Sequence, residues 1–237
     1  AYEPGSTFKM ITAAAALEES KVEPREKLRV YNGKLSFCLI DKKVKGKNKK
    51  ITSFGDPCEK KPIIYKTRDH GKKRVFLEFE DAFTESSNIY FAQLGGKLGR
   101  RQFYKYIRNF GFISKTGIEL PNEGSSRIKP TSKWEGTTPY AMGFGHALMI
   151  TPLQLASAYS VIANGGNLLK PTILKSNKLK SSIIRRVISN ETAYKLRQMS
   201  KEVIEHKHGT AHNLKSDILE LGGKTGTAEK VLKGGGY

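Results

Sequence analysis

The stretch Glu3-Pro4-Gly5-Ser6-Thr7-Phe8-Lys9-Met10 decides how this chain is read. Pro and Gly supply a turn. Ile11-Thr12-Ala13-Ala14-Ala15-Ala16-Leu17-Glu18-Glu19 follows with strong helix formers and no internal Gly or Pro, which predicts a helix from about Ser6 onward. Positions three apart share a helix face. Ser6 Oγ and the Lys9 amine are therefore expected to meet at the first turn, where unpaired backbone N–H groups favour developing negative charge. A serine nucleophile with an amine base needs that arrangement. A single Ser-x-x-Lys is also what an N-cap serine and a solvated lysine look like, so the decision rests on what the remaining residues bring to it.

Outward from this helix, residues 20–75 are rich in Lys, Gly and Pro, with short β-like runs at Lys27 to Val30 and Ile63 to Tyr65. They predict an irregular basic excursion and not a core element. A helical stretch is expected from Val75 through Phe83, broken at Ser86-Ser87-Asn88, whose side chains compete for backbone hydrogen bonds. Ile89 to Leu94 restarts an apolar helix that Gly95-Gly96 should stop, and Arg100 to Phe110 reads as an amphipathic helix closed by Gly111. Gly, Pro and Ser between Phe112 and Tyr140 predict a long loop, a class that is commonly functional. Thr151-Pro152-Leu153-Gln154 has the form of a capping box with proline at the first helical position; the apolar helix Leu155 to Ala163 follows and Gly165-Gly166 ends it. Another helix is expected from about Glu191 to Glu205, N-capped by Ser189 or Asn190. The run Ile218 to Ala228 reads as a strand of unusually small residues, the mark of close approach by another backbone or a ligand.

With 237 residues, 38% hydrophobic and 27% charged, the chain has the composition of a folded protein of one large domain or two small ones. It has no secretory leader and no run of about 18 apolar residues that could span a membrane. Without an initiator Met, and with a candidate nucleophile at position 6, it is expected to be a piece of a longer polypeptide. The net charge of +20 raises nucleic acid or an anionic surface as a partner. The densest basic run, Asp41-Lys42-Lys43-Val44-Lys45-Gly46-Lys47-Asn48-Lys49-Lys50, has no interleaved aromatics and reads as a solvated loop, with anionic lipid head groups or wall polymers as the functional alternative. Cys38 and Cys58 flank that run and match no metal spacing; a disulfide and two buried thiols both fit. His206, His208 and His212, with no Cys beside them, read as surface histidines and not as a zinc site.

Three elements far apart in the chain now combine: Ser6-x-x-Lys9, Ser86-x-Asn88 and Lys224-Thr225-Gly226. This trio is shared by penicillin-binding proteins and serine β-lactamases. A second Ser-x-x-Lys, Ser126 to Lys129, is followed by Pro130, which turns Lys129 away from helix. A second Lys-Thr-Gly, Lys115 to Gly117, falls in the long loop. The likeness extends beyond the trio. Tyr2 through Lys9, Ser86-Ser87-Asn88-Ile89, Thr116-Gly117-Ile118-Glu119-Leu120-Pro121, Gly143-Phe144-Gly145-His146, Thr151 through Ala156, Ala163-Asn164-Gly165-Gly166 and Gly223 through Lys230 resemble, in order, the transpeptidase domain of the monofunctional (class B) penicillin-binding proteins. Ser87 between Ser86 and Asn88, and Gly145-His146, resemble the division-specific, penicillin-binding protein 3-like branch.

The resemblance implies an α+β fold of the penicillin-binding protein/serine β-lactamase type, a five-stranded antiparallel sheet with a helical subdomain and the active site between them. The chain is expected to be a partial transpeptidase domain, 1–237, incomplete at both ends: it starts just before Ser-x-x-Lys and ends just after Lys-Thr-Gly, at Lys233 to Tyr237. The implied activity is D,D-transpeptidation of peptidoglycan stem peptides ending in D-Ala-D-Ala, in septal wall synthesis, with β-lactams as acylating inhibitors. The implied catalytic residues are Ser6 as nucleophile, Lys9 as base, Ser86 as proton relay, Asn88 as the residue holding Lys9 and the substrate amide, and Lys224 as the charge that keeps Lys9 neutral. Lys224, Thr225 and Thr227 would bind the terminal carboxylate beside Gly226, and the backbone N–H groups of Ser6 and Thr227 would form the oxyanion hole. Small side chains at Gly222, Gly223 and Gly226 would let a peptide lie along that stretch. No metal, cofactor or nucleic acid is implied. A wall glycosyltransferase and division proteins are the implied partners, and the implied location is the outer face of the cytoplasmic membrane.

Rival readings use the same residues. A serine β-lactamase needs a means to activate water, and the Glu-x-x-Leu-Asn pattern of class A is absent. A D,D-carboxypeptidase would release D-Ala to water, and a β-lactam sensor would bind without turnover. A basic wall- or nucleic-acid-binding module would show no covalent chemistry at Ser6 and a steep loss of binding with salt.

Overall fold

Helix α1 (Lys9–Glu18) is buried on every side from Lys9 to Ala16, as expected of a helix apolar all round. The computed structural model describes residues 1–44, 47–55, 58, 61–70, 73–175 and 183–227. Four alanines keep α1 thin, so α3 (Asn88–Asn109) and α6 (Asn190–Glu205) can both pack against it. Large side chains fill the space around it: Phe8, Phe79, Phe83, Phe91, Phe103, Phe110 and Phe112 are all inaccessible or nearly so. Each such burial contributes about 1.5–3 kcal/mol. The end of α1 is tied to α6, because Glu18 accepts from both the backbone N–H and the hydroxyl of Ser189, the N-cap of α6.

Four short sequence readings hold. The capping box at Thr151 and Gln154 is present with Pro152 at the start of α5 (Pro152–Ala163). Ser189, not Asn190, caps α6. Ser126 to Lys129 is not helical, and Lys115 to Gly117 is loop, with the N–H groups of Thr116 and Gly117 held by Glu123.

Other readings are replaced. Residues 20–75, expected to be irregular, contain the pair β1 (Lys27–Arg29) and an antiparallel sheet in the order β3-β2-β4, made of β2 (Lys34–Val44), β3 (Lys47–Phe54) and β4 (Ile63–Arg68). Its lysines have low strand preference, but Leu35 and Phe37 bury one side, with Phe54, Tyr65 and Tyr140 packed on Phe37. Cys38 and Cys58 are joined as a disulfide within this sheet region. Helix does not begin at Val75: Phe76–Glu78 is strand β5, paired with β1, and α2 is Phe79–Thr84.

Gly95-Gly96 does not stop a helix either. Helix α3 runs on to Asn109, and Gly95 lies against α4 (Thr138–Gly143), where an added Cβ would fall 2.1 Å from the Pro139 carbonyl oxygen. Gly95 permits close approach of two backbones and Gly96 makes room for the Tyr140 ring; the break comes at Gly99, which has φ +67°. Beyond α5, β6 (Asn167–Leu169) pairs with β7 (Ile183–Arg186). Residues 218–227, expected as a strand, form no ladder among the described residues, because extended backbone becomes a strand only beside a hydrogen-bonded neighbour. Ala228 onward lies outside the described residues. Among the described residues no helix is long and apolar enough to cross a membrane.

Candidate active site

Ser6 lies in a short 3-10 turn, Gly5–Phe8, that feeds directly into α1. The turn needs Gly5, whose φ is +55°, and it is backed by Gly145: the Gly5 N–H donates to the Gly145 carbonyl at 3.2 Å, and a Cβ on Gly145 would sit 1.9 Å from the Gly5 oxygen. Tyr159 adds a hydroxyl donated to the Thr7 carbonyl at 2.9 Å. The serine is thus presented on backbone fixed from two sides.

The break at Ser86-Ser87-Asn88 has a definite construction. Ser86 has φ +63°, the left-handed conformation usually left to glycine. Its N–H donates to the Phe83 carbonyl and the Ser87 N–H to the Ala82 carbonyl, so Ser86 occupies the position normally taken by glycine in a Schellman cap that ends α2. Ser87 is at once the N-cap of α3, its hydroxyl accepting from the Tyr90 N–H at 3.1 Å. One helix ends and the next begins with no spare residue. The consequence is that Ser86 turns both its carbonyl and its hydroxyl toward the same neighbour, Lys9.

Lys9 is fully buried. Its Nζ lies 2.7 Å from the Ser86 carbonyl oxygen, 2.7 Å from Asn88 Oδ1, 3.0 Å from Ser6 Oγ and 3.0 Å from Ser86 Oγ. Carbonyl oxygens only accept, so Lys9 Nζ donates a hydrogen in each of the two short contacts; in the neutral form of the amine, the lone pair would then be left to a hydroxyl. The side-chain amide of Asn88 is itself oriented, because Nδ2 donates to the Arg68 carbonyl at 2.9 Å. Burial holds the Lys9 pKa well below the usual lysine value, the Lys224 charge adds to the effect, and the Asp69 carboxylate opposes it.

Opposite lies the extended stretch 222–227. The Gly223 N–H donates to the Ser200 carbonyl of α6 at 3.0 Å, and the Thr225 hydroxyl donates to the Thr210 hydroxyl at 2.7 Å. Gly226 rests on the Ser6 turn, where an added Cβ would meet Thr7 Cγ2 at 2.7 Å. Gly222 is small for a different reason than expected: it packs on Ser200 and Lys201 of α6. Half-buried Lys224 is pushed down to about 7 by desolvation. Ser6, Ser86, Asn88, Thr225 and Thr227 line one cavity of about 510 Å³. Lys224 and Gly226 do not line it; Lys224 acts on Lys9 through its charge.

The same cavity is lined by His70, Glu85, Phe144, His146 and Thr210. Of these the sequence reading had singled out only Phe144 and His146, as part of a motif without a role. Asp69 was also missed: Oδ2 accepts from the Ser87 hydroxyl at 2.8 Å and Oδ1 from the Ile89 N–H at 3.0 Å. The signal that points to such a residue is general: a helix N-terminus favours a nearby carboxylate, wherever in the chain it comes from. The three histidines His206, His208 and His212 lie at and beyond the end of α6, and among the described residues no three His, Cys, Asp or Glu side chains are grouped to hold a metal ion.

The family model "Penicillin binding protein transpeptidase domain" matches residues 1–53 and 39–237. The chain is 35% identical over 243 residues to "Stage V sporulation protein D" of Bacillus subtilis, covering 98% of this chain and 34% of that protein. It is 30% identical over 231 residues to "Probable peptidoglycan D,D-transpeptidase FtsI" of Caulobacter vibrioides, covering 97% and 34%. The apo structure of the TP domain from Burkholderia pseudomallei penicillin-binding protein 3 superposes with a TM-score of 0.80 at 25% identity, over 100% of this chain and 63% of that one. The chain spans about a third of the length of these curated relatives.

Proposed function

Because the chain belongs to the penicillin-binding protein transpeptidase family, on its class B branch, we propose that it carries the acylating centre of a peptidoglycan D,D-transpeptidase. The observation that carries this reading is the buried Lys9 amine, 3.0 Å from Ser6 Oγ, with its pKa held well below the usual lysine value by burial, beside a cavity open to ligand. A serine hydroxyl attacks only when a base takes its proton, and a neutral amine with a free lone pair is such a base.

In this reading Ser6 Oγ attacks the penultimate carbonyl of a stem peptide ending in D-Ala-D-Ala as its proton passes to Lys9. The tetrahedral oxyanion is received by the backbone N–H groups of Ser6 and Thr227, a contribution of about 2.7–4 kcal/mol per donor in other acyl-transfer sites. Collapse breaks the terminal amide bond, and the proton held by Lys9 passes through the Ser86 hydroxyl, 3.0 Å away, to the departing D-Ala amine. Asn88 keeps Lys9 and the substrate amide in place. Thr225 and Thr227 take the terminal carboxylate, which the charge of the protonated Lys224 behind them attracts. An amine from a second stem peptide then attacks the Ser6 ester, forming the cross-link and returning the serine. A β-lactam opens on Ser6 in the same way, but its leaving amine stays tethered.

Relatives named for sporulation and for FtsI support septal or division-linked wall synthesis. A chain anchored in the cytoplasmic membrane with this domain outside, working beside a wall glycosyltransferase and division proteins, fits that reading, with residues 1–237 a portion of the transpeptidase domain. Intact-protein mass spectrometry of the full-length protein after brief exposure to benzylpenicillin tests it. A long-lived adduct on wild type, absent in Ser6→Ala, is expected, with acylation down by at least about 10³-fold. An adduct on both proteins would remove Ser6 from the role, and one that clears quickly would point to a hydrolase.

A further inference from the structure

We propose that Asp69, at the end of β4, is a positioning residue for the reaction: it locks the Ser86-Ser87-Asn88 turn against Lys9 by clamping the first turn of α3. The inference rests on the acyl-transfer reading above. A serine at φ +63° is held in a conformation it adopts at a cost, and it persists only where the surroundings fix it. Upstream, the Schellman bonds of α2 fix the N–H groups of Ser86 and Ser87. Downstream, both oxygens of Asp69 are engaged: one holds the Ser87 hydroxyl at 2.8 Å, the other the Ile89 N–H at 3.0 Å. Its neighbour Arg68 completes the clamp, since the Arg68 carbonyl receives Asn88 Nδ2 and so turns Oδ1 to Lys9.

Two consecutive residues at one strand end therefore hold Ser87 and Asn88 of the catalytic turn and Ile89, which follows it. The clamp is itself anchored: the Asp69 N–H donates to the Gly33 carbonyl at 3.1 Å, and Arg68 pairs with Lys34 in the β2–β4 ladder. The basic excursion thereby reaches the reaction centre. A carboxylate is suited to the task for two reasons. It accepts two hydrogen bonds at once, and its charge is favourable at the N-terminus of α3. The charged groups acting on Lys9 are Asp69 from β4 and Lys224 from the extended wall, with His70, Glu85 and His146 lining the same cavity. Of the two named charges, Asp69 favours the protonated amine and Lys224 disfavours it.

The test is the second-order rate of Ser6 acylation by a fluorescent penicillin, measured against pH on the full-length protein as wild type, Asp69→Asn and Asp69→Ala, with Tm for each. Asp69→Ala is expected to acylate on the order of tenfold more slowly, the loss of one helix cap expressed in the barrier. Asp69→Asn can still accept one bond but has lost its charge, so it should recover part of the rate and shift the acid limb to lower pH. Wild-type rates and an unmoved acid limb in both variants would overturn the proposal, as would a slower Asp69→Ala whose whole deficit tracks its fall in Tm while Asp69→Asn keeps the wild-type limb. Failure of wild type itself to acylate would instead overturn the acyl-transfer reading.

Discussion

The two walls of the cavity differ in how their groups are held. On the helical wall, Lys9 touches four oxygens, Ser86 is fixed by helix caps on both sides, and the Ser6 turn is backed by Gly145 and Tyr159. On the extended wall, Thr225 is held by a hydroxyl pair with Thr210, and Gly223 by one backbone bond to Ser200. No ladder supports residues 218–227 among the described residues, and Ile218 and Leu219 are exposed. The lesson is one of division of labour. Under the proposed acyl transfer, proton transfer tolerates little error in distance and its groups would belong in the core, whereas ligand capture would need a surface onto which a peptide can be laid. Substitutions should therefore separate: on the helical wall they change chemistry and stability together, on the extended wall mainly capture.

The sharpest break is at Lys9. Lys9→Arg places a permanently charged, larger group in a fully buried site whose burial disfavours the charged form of the lysine it replaces. Acylation by a β-lactam should fall by at least about 10²–10⁴-fold, the usual worth of a general base. Lys9→Met, which fills the same space without charge, should be as inactive but better folded. Stability gives a second readout. The folded protein keeps Lys9 neutral below the usual lysine pKa, so unfolding takes up a proton across that window, and stability should rise with pH there. Urea unfolding of Lys9→Met should lack that part of the slope. Normal acylation by Lys9→Arg would break the comparison at its strongest point.

Glycine substitutions compare the walls directly. Gly145→Ala forces a side chain onto φ +90° and into the Gly5 carbonyl, with backbone on both sides of the clash. A stability loss of about 3 kcal/mol or more is expected, with loss of acylation because the Ser6 turn must move. In Gly226→Ala the new Cβ meets a Thr7 methyl, a side chain that can yield at the expense of the Thr7 hydroxyl's bond to the Pro4 carbonyl, so the loss should stay near about 1 kcal/mol while acylation slows. Urea denaturation together with acylation rates reads both effects. Equal destabilisation at the two positions would show that the extended wall is as firmly built as the helical one.

How much of this was legible depended on distance along the chain. Ser6 and Lys9 are three apart, and helix geometry alone brings them together. The capping box at Thr151 and the Ser86 to Asn88 break are likewise local signals. Asp69 and the Arg68 carbonyl act across 18–20 positions, and no periodicity records such a contact. Gly95-Gly96 misled because glycine both ends helices and admits a neighbouring backbone, and only the position of α4 decides between them. The lysine-rich β2 and β3 misled because strand preference reflects packing on one face, which Leu35 and Phe37 supply and composition hides.

The smallest expected effect concerns Lys224, and it tests whether the walls communicate. Burial pushes this lysine down to about 7, yet binding a carboxylate requires its charged form. For the free protein, the second-order acylation rate with a carboxylate-bearing β-lactam should therefore fall as pH rises through about 7. Near neutrality the change is only about twofold, growing toward tenfold per pH unit above it. Lys224→Arg stays protonated and should lose that alkaline limb. Lys224→Met should move the acid limb upward, because Lys9 then loses a neighbouring charge that disfavours its ammonium form. Stability carries the same signature: unfolding returns Lys224 to the ordinary lysine range, so wild type should gain stability as pH rises above about 7, and Lys224→Met should not. An alkaline limb that survives in Lys224→Arg would mean that another group, on the helical wall or in the ligand, sets it, and that the two walls titrate independently.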